Sequence, residues 1–146
     1  MTDHGHKGFE IAPGKLAGAD TVLIGQLVGA AFDECPSCQE ALLTLVAQDA
    51  PTTAQLVELA CVAVNDTLGG IPVDLVDTAD TDSPVPLAFR ELALSFMDGD
   101  PAPLHAHSAV LPATERHAAA RTATALFVGE MRAAGGGFNS VRRQQV

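Results

Sequence analysis

Residues 23–64 read LIGQLVGAAFDECPSCQEALLTLVAQDAPTTAQLVELACVAV, and this stretch decides the fold. Ile24, Leu27, Val28 and Ala31 recur at helical intervals, and Asp20 with Thr21 stands where an N-terminal cap belongs. The spacing predicts a first helix over about 20–34. Pro36 disfavours helical geometry at Cys35, so that helix ends near the cysteine, and the same proline suits the first turn of a second helix over about 36–48. There Cys38, Leu42, Leu45 and Val46 share one stripe, which turns Cys38 toward the apolar side. A third helix, capped by Thr52 or Thr53, runs to the stop signal Gly69-Gly70. It is apolar nearly all round, from Leu56 through Val64, and so belongs at the centre of a core or of an oligomer. Cys61 lies mid-run and reads as a small hydrophobe filling the core.

Outward from this stretch the pattern loosens. Gly5, Gly8, Pro13, Gly14 and Gly18 make residues 1–19 an irregular arm. Gly25 and Gly29, four apart, hint at a small face for a close neighbour, but a plain amphipathic helix is the preferred reading of the first helix. Residues 71–86 form an acidic linker in which Pro72, Pro84 and Pro86 flank Asp74, Asp77, Asp80 and Asp82. The aspartate spacing is that of calcium loops, but the required glycine and late glutamate are missing, which leaves a solvated acidic loop. A fourth helix over about 86–97 ends at Asp98-Gly99-Asp100-Pro101. A loop over 98–111 carries His105 and His107. A last helix over about 112–134 has Ala113, His117, Ala120, Thr124, Phe127, Val128 and Met131 on its apolar stripe. Gly135-Gly136-Gly137 stops it, and residues 135–146 read as a flexible tail, with room for short strands at 71–76 or 138–141. The fold class expected is all-α: a single-domain bundle of about five helices over 20–134, with Leu56, Leu59, Val64, Phe127 and Met131 in its core.

Composition agrees with a folded domain. Hydrophobic residues make up 47% of 146, enough for a core. With six Phe and neither Trp nor Tyr, Ala, Val and Leu must fill that core, which suits close-packed helices. The net charge is −10, and no Lys or Arg occurs between Leu16 and Phe89, whereas Arg116, Arg121, Arg132, Arg142 and Arg143 gather toward the end. A field of that sign repels nucleic acid and anionic lipid, and attracts a basic protein partner or the chain's own arginine-rich end. The longest nearly uncharged stretch, Thr21 to Phe32, is too short to span a bilayer. No basic segment precedes an apolar run at the start, and three unevenly spaced cysteines are no secreted framework, so a cytoplasmic location is expected. Abundant Ala, Gly, Asp and Arg with only two Lys point to a GC-rich bacterial source.

Cys35-Pro36-Ser37-Cys38 is the spacing with chemical content. Two cysteines opening a helix are the arrangement of dithiol oxidoreductases, in which the helix N-terminus lowers the first thiol's pKa. Asp33 and Glu34 act against this. The helical disulfide reductases of the AhpD type carry a histidine shortly after the pair, and Gln39 to Asp49 contains none. The pair is also half of a tetrahedral zinc site. His105, His107, His117 and Cys61 are the candidates to complete it, and His117, inward on the last helix, is the preferred third ligand beside Cys35 and Cys38. The segment Leu27 to Leu42 resembles part of the zinc-binding anti-sigma factors, in which a histidine four residues before the first cysteine completes a helix-junction site. Ala31 occupies that position here. Glu91, His105, His107 and Glu115 are the remaining acid–base candidates. No glycine-rich phosphate loop follows a strand, and no serine sits in a nucleophile elbow.

The reading that follows is a small acidic helical protein that acts by protein–protein interaction, regulatory or scaffolding, non-catalytic, self-associating and without a cofactor. The alternative is a dithiol redox or zinc-binding protein, an enzyme or redox sensor, working through Cys35 and Cys38.

Overall fold

A computed structural model of the chain describes residues 8–12, 14, 18–133 and the backbone of 141–143. Among them are six α-helices: α1 Thr21–Phe32, α2 Pro36–Ala47, α3 Ala50–Leu68, α4 Leu87–Phe96, α5 Pro101–Val110 and α6 Ala113–Ala133. The Asp20 carboxylate accepts a hydrogen bond from the Leu23 N–H at 3.0 Å and so caps α1 as its sequence predicts. The cap of α3 is Asp49 rather than Thr52 or Thr53. Thr52 donates its hydroxyl to the Asp49 carboxylate and accepts the Asp20 N–H at 2.8 Å, which ties the start of α3 to the start of α1.

α5 occupies the segment expected to be a loop. Gly99, at φ 80°, lets the chain turn out of α4 in a left-handed conformation that suits glycine. Asp100 then accepts the Ala102 N–H at 3.0 Å, and Pro101 needs no donor in the first turn. The four residues that end one helix therefore begin the next.

α3 is the central element. It is buried almost continuously from Thr52 to Val64, with α6 packed along it and α2, α4 and α5 covering the rest. Leu56, Leu59, Val64, Phe127 and Met131 all lie in the core as expected. A helix apolar on all sides thus finds its cover within one chain.

The N-terminal arm holds a strand where irregular structure was expected. β1, Phe9–Ile11, pairs antiparallel with β2, Val141–Arg143, Phe9 standing opposite Arg143. Phe9 and Ile11 are buried, and the Phe9 ring meets Phe32 edge-on at 5.7 Å between centroids. The small face of α1 admits this strand: a Cβ added at Gly25 would stand 2.0 Å from the Phe9 carbonyl oxygen. Neither backbone can yield cheaply there. Gly25→Ala is therefore expected to cost roughly 3 kcal/mol, the upper range for overpacking, read as a lowered urea midpoint at unchanged slope.

The acidic linker is an ordered loop around Arg90. Two of its aspartates close turns: Asp77 accepts the Ala79 N–H and Asp80 the Asp82 N–H, both at 3.0 Å. Arg90, 5% exposed, reaches back from α4 with Nε on the Val85 carbonyl at 2.9 Å and Nη1 on those of Asp77 and Asp80 at 2.7 and 2.8 Å. Among the described residues no helix is long and apolar enough to cross a membrane.

Candidate redox site

The cysteine pair sits at the corner between α1 and α2, built by a helix-ending motif. The Glu34 N–H donates to the Ala31 carbonyl at 3.1 Å and the Cys35 N–H to the Ala30 carbonyl at 3.0 Å, with Glu34 left-handed at φ 57° between them. Cys35 is then extended and serves as the N-cap of α2, with Pro36 in the first turn. The sulfur atoms of Cys35 and Cys38 stand at disulfide distance, their Cα atoms 5.4 Å apart, and both residues are half-buried. The Cys35 Sγ also lies 3.7 Å from the Ser37 hydroxyl.

Cys38 faces the core less than its spacing predicts. The buried stripe of α2 is Leu43, Val46 and Ala47, whereas Leu45 is 50% exposed. Cys38 lies at the edge of that stripe, where a partner sulfur can reach it. Glu34 is an acidic, non-glycine residue in a left-handed conformation that costs most side chains about 1–2 kcal/mol. Glu34→Gly is thus expected to raise stability by roughly 1 kcal/mol in denaturant unfolding. It also removes a carboxylate next to Cys35, so the thiol titration of the reduced variant is expected to shift to lower pH.

The fold brings basic side chains to the cysteine helix that the local sequence lacks. On α2, two residues past Cys38, the Glu40 carboxylate meets Arg121 Nη2 at 2.7 Å and His117 Nε2 at 2.8 Å, both from α6. The Arg121 hydrogen bond is the main reason that the Glu40 carboxyl is held below the usual carboxylate range. Arg132, farther along α6, donates to the Phe32 carbonyl at 2.6 Å and lies 5.0 Å above the Phe32 ring. His117 also lines a cavity of about 310 Å³ with Thr44, Ala47, Gln48, Ala113 and Thr114, on the same seam between α2 and α6.

The other candidates are placed as follows. His117 is half-buried on α6 and paired with Glu40 rather than with the cysteines. Among the described residues no three His, Cys, Asp or Glu gather as metal ligands, so Cys35, Cys38 and His117 do not come together as a zinc site. His107 faces Glu91 at 3.7 Å, and Glu115 lies exposed in the first turn of α6. Cys61 is 2% exposed in α3, and burial, with a contribution from Glu58, pushes its thiol up to about 12. The Glu40–Arg121 ion pair beside the cysteine helix was not singled out in the sequence; the four-residue spacing of His117 and Arg121 on one helix face is the signal that was available. The chain matches no protein-family model, no curated protein and no solved structure.

Proposed function

We propose that the protein is a thiol–disulfide exchange protein whose Cys35–Cys38 pair cycles between dithiol and disulfide against the cysteines of a partner protein. The observation that carries this is a cysteine pair at disulfide distance at the N-terminus of α2, with neither sulfur sealed in the core. The positive end of the α2 dipole favours the Cys35 thiolate. Asp33 and Glu34 oppose it from exposed, solvent-screened positions.

In the forward step the Cys35 thiolate attacks one sulfur of a partner disulfide. A mixed disulfide forms, and the released partner thiolate takes up a proton. The Cys38 thiolate, once deprotonated, attacks the Cys35 sulfur, closes the intramolecular disulfide and releases the second partner thiol. Two electrons pass from this pair to the partner, and a partner dithiol reverses the sequence. The overall charge of −10 and the exposed acids before Cys35 favour a partner with basic residues around its cysteines. Self-association is not needed for this chemistry, and both of its sequence grounds have uses inside one chain: other helices wrap α3, and Phe9 packs on Gly25.

Counting thiols tests the proposal. After reduction, a maleimide is expected to label two cysteines quickly under native conditions and Cys61 only after unfolding. Oxidised glutathione is expected to remove the two fast sites together. A pair that stays reduced in oxidised glutathione, or labelling of Cys61 as fast as the pair, contradicts it.

The second reading, a regulatory or scaffolding protein that binds its partner without chemistry, rests on apolar side chains left outside, chiefly Leu45 on the cysteine helix and Val73 and Val110 elsewhere. The double variant Cys35→Ser/Cys38→Ser separates the two: partner binding that survives unchanged supports this second reading alone.

A further inference from the structure

We infer that a second site, which shares no lining residue with the cysteine corner, takes a small ligand with an ammonium head and an apolar body. A cavity of about 510 Å³ opens where α3 meets the turn between α4 and α5, within the size range of small-molecule sites. Val62, Ile71, Phe96 and Met97 give it apolar walls. Glu58 and Asp100 are its ionisable residues, and no Lys or Arg is among the described residues that line it.

Of two orphaned polar atoms nearby, the one on Glu58 belongs to a lining residue and marks where the head of such a ligand belongs, whereas His105 is outside the lining. Glu58 Oε1 is shut off from solvent and has no hydrogen-bond partner among the described residues. His105 Nε2, on α5, is in the same condition. The two residues are near enough for the Glu58 charge to act on the His105 ring, while burial favours the ring's neutral form. An unpaired carboxylate oxygen in an apolar setting is costly unless a donor reaches it. An ammonium group offers several donors and a compensating charge for the Glu58 carboxylate. A hydroxyl offers a single donor and no charge, and a carboxylate head meets Glu58 and Asp100 with repulsion. The apolar walls suit an aromatic or branched aliphatic body.

The test is calorimetric titration of the full chain with 2-phenylethylamine, 2-phenylethanol and phenylacetate as probes. The amine is expected to bind saturably at one site, with the alcohol and the acid at least about tenfold weaker, the worth of one charge-assisted hydrogen bond. Glu58→Gln is expected to weaken the amine by about tenfold and to leave the alcohol little changed. Val62→Trp, which fills the cavity, is expected to abolish binding of all three; circular dichroism establishes that each variant folds, and either folded variant suffices. Equal affinity for amine and alcohol, no saturation by the amine through the millimolar range, or amine affinity unchanged in a folded variant overturns the site.

Discussion

Reduced Cys38→Ser protein, mixed with oxidised glutathione, is expected to accumulate a stable mixed disulfide on Cys35, visible by intact mass. Cys35→Ser is expected to form its adduct at least about tenfold more slowly at neutral pH. The difference arises from position. Cys35 is the N-cap of α2, at the positive end of the helix dipole, whereas Cys38 lies within the first turn at the edge of the buried stripe. A thiolate favoured by the helix end raises the reactive fraction of Cys35 at neutral pH, partly offset by the lower nucleophilicity of a less basic sulfur. In Cys38→Ser no resolving sulfur is left to displace the glutathione, so the adduct persists. Equal rates for the two variants, or the faster adduct on Cys38, contradict the assignment of Cys35 as the attacking sulfur.

Arg90→Leu is expected to cost roughly 3–5 kcal/mol, the largest effect of any single substitution considered. Its guanidinium serves three carbonyls, those of Asp77, Asp80 and Val85, from a position only 5% exposed. Leucine fills part of the volume and leaves all three acceptors without their donor. Arg90→Lys is expected to fall between, because a compact ammonium cannot reproduce the fork that spans two directions. Urea unfolding gives the magnitude, and amide exchange gives the place: the loop over 77–85 is expected to lose protection before the helices do. A loss below about 1 kcal/mol, with protection unchanged, shows that the loop holds its shape without the arginine.

The sequence and the structure part company where distant residues make the decision. The corner at Cys35 was legible because its signals are local: a cap at Asp20, a proline at Pro36 and apolar residues at helical intervals. So was the central place of α3, because no polar side interrupts its middle turns. α5 was not legible as a helix, since Pro101, Pro103 and two histidines mask a first turn in which proline is tolerated and Asp100 supplies the cap. β1 alternates apolar and polar over only three residues, too few to stand out in sequence; its place comes from pairing with the opposite end of the chain and from the space left by Gly25. Within the site, the cysteine spacing stood out, but the partners of Glu40 lie 77 and 81 residues away. Nothing local to α2 marks that Glu40 holds an arginine and a histidine beside the cysteine helix. The phase of α2 was also off at Leu45, because both faces of that helix carry leucine and only packing against α1, α3 and α6 selects Leu43 and Val46 as the buried side.

An equilibrium redox titration of the Cys35–Cys38 pair bears most directly on the proposed function. Protein equilibrated in graded thiol–disulfide buffers is quenched with acid, and the free thiols are alkylated and counted by mass. The account places the midpoint among the exchanging dithiol proteins, between about −120 and −270 mV, with the two sulfurs lost and regained together. A midpoint below about −300 mV, where purely structural disulfides lie, contradicts it, as does a pair that never closes under any buffer.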